Sequence, residues 1–92
     1  MSNRSLFSMG EVVVTMNALT HAKQYQIDLI ALLARHNTGD WGDLEDDDKY
    51  ANEDALREWT RIFSSYTCAA IKVWIITEAN RALTTILLPE DY

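Results

Sequence analysis

The side chains in this sequence with the greatest chemical reach are carboxylates, and they are crowded. Between Gly39 and Glu58 stand Asp40, Asp43, Glu45, Asp46, Asp47, Asp48, Glu53, Asp54 and Glu58, nine of the fourteen acidic residues, against only Lys49 and Arg57. The segment carries a local balance of −7, while the remaining six basic and five acidic residues nearly cancel. Clustered carboxylate oxygens can chelate a hard cation such as calcium. The EF-hand spacing fails, however: counted from Asp43, the position that needs glycine holds Asp48 and the twelfth holds Asp54. Acid and base catalysis needs a pocket that sets two carboxyl pKa values apart, and nothing in the spacing implies one. Two readings remain for the run: a solvated helix start, or a face that binds protein by placing carboxylates where phosphates would otherwise meet Lys and Arg.

The other reactive residues are sparse. His21 and His36 are far apart with no third ligand beside them, so no metal centre is expected, and each is read as a surface or core-edge residue. Cys68 is the only cysteine; it lacks a nucleophile signature and reads as a small buried hydrophobe. Three separated glycines make no phosphate loop. The expectation is a protein that is not an enzyme and carries no cofactor and no metal.

A net charge of −6 argues against direct binding of free DNA or of an anionic membrane, both of which call for clustered Lys and Arg. It favours docking onto a basic surface, where the field raises the encounter rate. No run of about eighteen apolar residues occurs, and the N-terminus lacks the apolar stretch of a signal peptide. With a lone cysteine these features fit a reducing cytoplasm.

At 92 residues, 48% hydrophobic, the chain is expected to form one domain, with residues 1–10 a tail or a lead-in strand. Glu11 to Thr15 is β-branched in four of five positions and predicts a short strand, after which Thr15 or Asn17 can cap a helix. The stretch from Ala18 to His36 has helical spacing at Leu29, Leu32, Leu33 and His36. Its apolar stripe weakens around Tyr25 and Gln26, leaving one kinked helix or two short ones. Asn37-Thr38-Gly39 supplies the stop. A turn over Asp40 to Asp43 then places Asp43 as the N-cap of a helix whose first turn holds Glu45, Asp46 and Asp47 against the positive end of its dipole. Leu44, Ala51, Ala55 and Trp59 define the expected buried stripe. Asp47 and Asp48 interrupt it, so the first turn is expected to project into solvent. Pairs at i,i+4 run from Glu45 to Lys49 and from Glu53 to Arg57. Trp41 either folds back to pin the turn or stands out as an interface anchor, while Trp59 and Trp74 read as core or core-edge. Arg61 to Cys68, Ile71 to Glu78 and Leu83 to Leu88 read as three strands of a meander. Ile71, Val73 and Ile75 face the core; Lys72, Trp74, Ile76 and Glu78 face away. Pro89 to Tyr92 is a terminal tail. The fold class is α+β: an antiparallel sheet of about four strands with two to three helices packed on one face.

GDWGDL (Gly39 to Leu44), NEDAL (Asn52 to Leu56) and above all KVWIITEANRALTTILLPEDY (Lys72 to Tyr92) resemble a family of small proteins carried by plasmids, phages and other mobile elements. The resemblance spans Glu11 to Tyr92 and departs at Asn80, Ala82 and near Tyr25, where the family usually has Asp, Ser and Gly. Among such proteins this chain is similar to phage anti-CRISPR proteins that inhibit the type I-F surveillance complex. That resemblance implies stoichiometric binding in the host bacterial cytoplasm, to effector subunits with a basic surface and to any guide RNA exposed there. It implies occlusion of the path of target DNA; the sequence leaves the oligomeric state open, with a monomer favoured. On charge, the candidate contacts are Asp43, Glu45, Asp46, Asp47 and Asp48, with Trp41 beside them.

Overall fold

The structure, a computed structural model, describes residues 4–92. In chain order it contains β1 (Glu11–Val14), α1 (Met16–Tyr25), α2 (Leu29–Asn37), α3 (Asp46–Glu58), β2 (Ile62–Cys68), β3 (Ile71–Thr77), β4 (Leu83–Leu87) and a closing 3-10 turn at Pro89–Asp91. The fold class is α+β. Residues 4–10 form no strand, and the part of the expected lead-in at residues 1–3 lies outside the described residues.

The four strands lie in the order β1-β4-β3-β2. β2 to β4 form the expected antiparallel meander, but β1 runs parallel to β4, with Val12 opposite Thr84 and Val14 opposite Ile86, so the sheet is mixed and not purely antiparallel. A parallel neighbour needs a long crossover, and here everything between β1 and β4 supplies it. Strand direction leaves no trace in a four-residue pattern, because side chains alternate alike in both arrangements.

The helical stretch resolves into two helices. Gln26 adopts a left-handed conformation, with φ of 55°, and its amide donates to Ala22 O, ending α1. Asp28 restarts the chain as α2 by accepting from Ala31 N. Thr15 caps α1 through Ala18 N. α1 and α2 bury Ala18 and Leu32 against Tyr66, Val73, Ile75, Ile86 and Leu88 on one face of the sheet. β2 and β3 are joined by Ala69 and Ala70, both at positive φ, a turn that asparagine and glycine fill with less strain. The last residues are no loose tail. Asp91 accepts from Thr15 Oγ1 at 2.7 Å and from Leu88 N, which ties the chain end to the start of α1. Among the described residues no helix is long and apolar enough to cross a membrane.

Candidate functional site

The acidic segment is held at the outer edge of β2. Gly42 forms a parallel bridge to Ser65, flanked by hydrogen bonds from Ser65 N to Trp41 O and from Asp43 N to Ser65 O. A Cβ at Gly42 would fall 2.0 Å from Ser65 O, and φ there is +81°, so glycine is required on both counts. Arg35 and Asp40 form an ion pair at 2.6 Å, which holds the Asp40 carboxyl below its usual pKa, mainly through the hydrogen bond from Arg35. Tyr66 Oη donates to Asp40 O from inside the core, and burial pushes its pKa up to about 12. Trp41 is only 4% exposed and donates from Nε1 to Glu53 on α3. It pins the turn and does not stand out as an interface anchor.

The helix that follows departs from the sequence reading in three ways. Asp43 is not its N-cap: α3 begins after Glu45, which makes no side-chain cap, and Asp43 instead accepts from Thr67 Oγ1 at 2.7 Å. The buried positions are Asn52 and Ala55, with Ala51 exposed and Trp59 61% exposed. Asn52 replaces a hydrophobe because its amide pairs with both backbone groups of Phe63, donating to the carbonyl at 2.6 Å and accepting from the amide at 3.1 Å. Trp59 takes the left-handed position that ends α3 and turns outward, beneath the Arg81 guanidinium 5.1 Å away. Finally, Arg57 pairs with Asp54 and Glu53 serves Trp41, so the expected i,i+4 pair between Glu53 and Arg57 is absent, as is one between Glu45 and Lys49.

Clamped at Gly42 and at Asn52, the turn presents Asp43, Glu45, Asp46, Asp47 and Asp48 to solvent. Among the described residues none of the five has an ion-pair partner. The positive end of the α3 dipole stabilises those in its first turn. No group of three or more potential metal ligands occurs among the described residues.

The second component of this surface escaped the sequence reading. The sheet face away from α1 and α2 carries Phe63, Trp74, Ile76 and Leu87, with Tyr92 reaching in from the chain end. Trp74 lies edge-on to Phe63 at 5.0 Å and to Tyr92 at 5.9 Å. Arg61, Phe63, Trp74, Ile76 and Tyr92 line one cleft; Phe63 and Trp74 also line a second, together with Asp43, Glu45, Asp48 and Lys72. The two clefts share an aromatic wall, so the acidic turn is the rim of an aromatic face. Period-two alternation marked Trp74 and Ile76 as facing away from the core; no pattern in one strand could place residue 63, 74 and 92 side chains together.

The chain matches no protein-family profile, no curated protein and no solved structure. Its residues alone must therefore carry the functional reading.

A second polar constellation lies on the opposite side of the sheet and is closed to solvent. His36, expected at a surface or core edge, is 0% exposed. Its Nδ1 lies 2.6 Å from Ser64 Oγ and its Nε2 2.9 Å from Thr77 Oγ1; Thr77 Oγ1 lies 2.7 Å from Thr84 Oγ1, which donates to Met9 O. Met9 O only accepts, and each hydroxyl has one proton. Thr84 must therefore accept from Thr77, and Thr77 must accept from His36 Nε2, so the bonds place a proton on Nε2. Burial drives the His36 pKa down to about 4, so at neutral pH the ring is uncharged and Nδ1 accepts from Ser64 Oγ. A serine paired with a histidine is the beginning of a nucleophilic site, but both side chains are sealed in the core, and the network reads as structural.

Proposed function

We propose that this chain is a phage-encoded anti-CRISPR inhibitor that binds the type I-F surveillance complex stoichiometrically and blocks hybridisation of target DNA. The observation that carries the binding mode is the clamped turn offering Asp43, Glu45, Asp46, Asp47 and Asp48 without ion-pair partners among the described residues. A guide-RNA channel is lined by Lys and Arg, and a fixed array of carboxylates seated there takes the place of nucleic-acid phosphates. The target is named by the resemblance of GDWGDL and KVWIITEANRALTTILLPEDY to mobile-element proteins. The reading requires no catalysis: the clamped turn acts by occupying a surface.

The test is inhibition of target DNA binding by the purified surveillance complex, with wild-type protein and with Asp46→Lys, Asp47→Lys and Asp48→Lys combined. Wild type is expected to inhibit at near one-to-one stoichiometry and less well as salt rises. The triple variant should lose at least about tenfold in potency. Reversal costs roughly 0.3 to 1 kcal/mol per residue at the helix start, so folding is checked by circular dichroism alongside. Full-strength inhibition by a folded triple variant rules out the acidic mode. Recovery of a restriction enzyme or nuclease from host lysate, in place of effector subunits, redirects the same surface to another defence system.

A further inference from the structure

The acidic turn accounts for only one border of the surface it lies on. Beside it, Phe63, Trp74 and Tyr92 wall a cleft of about 280 Å³ floored by Ile76, and Tyr92 is 75% exposed. Large aromatic side chains left at the surface around a concavity are the residues that most often dominate protein recognition. Asp43, Glu45 and Asp48 continue from the same Phe63–Trp74 wall. Two cations share the face. Arg61 is engaged by Glu78 at 3.3 Å and by Tyr92 Oη at 3.1 Å, leaving Lys72 alone against three carboxylates.

We infer that the aromatic cleft receives an apolar or aromatic side chain from a basic segment of a protein partner, whose Lys and Arg residues lie along the acidic rim. Charge selects this occupant. A second copy docking by the same face would bring two acidic rims into one interface, and like charges there oppose association. A basic segment instead meets complementary charge at the rim and apolar area in the cleft. The inference deepens the proposed function, since it rests on action through a basic partner and adds the hydrophobic anchor that charge alone does not supply.

The experiment is a two-dimensional amide and indole NMR titration of the full chain with three synthetic hexapeptides: Lys-Arg-Leu-Phe-Lys-Arg, its charge-swapped form with Glu for every basic residue, and a form with Ser for Leu and Phe. The first should shift the Trp74 indole and the Phe63 amide while leaving the Trp59 indole in place. The charge-swapped peptide should not bind, and the Ser form should bind about tenfold more weakly. Tyr92→Ala, at an exposed chain end, should weaken the first peptide about tenfold. The inference is overturned by equal binding of the charge-swapped peptide, by shifts centred on Trp59 or Tyr50, or by no shift at Trp74. Movement of the Trp74 signal on dilution of the protein alone would assign the face to a second copy and overturn it too. Peptide binding without inhibition of the surveillance complex removes the proposed target and leaves the docking cleft standing. Inhibition unaffected by Tyr92→Ala, with Trp74 unmoved by every peptide, removes the cleft and leaves the target.

Discussion

The two faces of the sheet solve opposite problems with different residue types. On the helix-covered face, polar groups are buried and every one is matched: among the described residues no buried side-chain nitrogen or oxygen lacks a partner. His36, Ser64, Thr77 and Thr84 form a directed chain there. At one end of the core the Arg81 guanidinium, 5% exposed, donates to the carbonyls of Ala55, Thr60, Glu78 and Ala79. On the other face the situation is inverted, with aromatic rings in reach of solvent and, among the described residues, carboxylates left without ion-pair partners. Satisfied polar groups in a low dielectric stabilise a unique core, whereas unsatisfied charge and exposed aromatic area cost little in water and become valuable on contact with a partner. The difference separates residues that hold the fold from residues available for binding.

That separation breaks most readily at Arg81. Arg81→Met keeps the apolar stem but removes the donors to four carbonyls, one of them in the last turn of α3. A loss of about 3 to 4 kcal/mol is expected in urea unfolding. A loss under about 1 kcal/mol would mean that water replaces the guanidinium and that the inner face is less closed than its geometry indicates.

The His36 network gives the next largest effect, through pH. In the unfolded chain His36 titrates near 6.5, and in the folded protein near 4. A depressed folded-state pKa makes the contribution complete above pH 6.5 and removes it as pH falls toward 4, because the unfolded state takes up the proton first. The corresponding loss is about 3 kcal/mol across that window. Equilibrium unfolding at pH 7 and at pH 4.5 checks it, with His36→Gln expected to flatten the dependence in this range. Asp40, whose pKa is also held low, adds a loss of the same sign at lower pH.

The smallest effect is the one that sharpens the contrast. Tyr92→Ala, the variant expected to cut peptide affinity about tenfold, removes only an exposed ring and its hydrogen bond from Arg61. Its stability should change by less than about 1 kcal/mol in the same urea assay. A larger loss would place Tyr92 among the residues that hold the fold.

Much of the architecture was legible because it depends on local preference. β-branched runs placed all four strands, Thr15 was one of two candidate caps, the weak stripe at Tyr25 and Gln26 marked the place of either a kink or a break, and Asn37-Thr38-Gly39 marked the end of α2. The errors share a cause as well. Trp59 read as buried because hydrophobicity was taken for burial, while Asn52, the residue that docks α3, is polar and finds its partners on a strand eleven residues away. Asp43 has the composition of a helix cap, but Thr67 on β2 claims its carboxylate.

The sequence by itself determined the succession of a strand, a helical stretch, an acidic helix and three strands, the two sides of β3 and the concentration of negative charge between Gly39 and Glu58, since propensity, periodicity and charge are properties of neighbouring residues. Only the tertiary structure decided that β1 runs parallel to β4, that Trp41 is a buried pin, that His36 is a neutral core residue, and that the acidic turn borders an aromatic face. Each of those depends on which distant strand lies beside which, and that is settled by packing and by the need to pair every buried polar group, not by any local pattern.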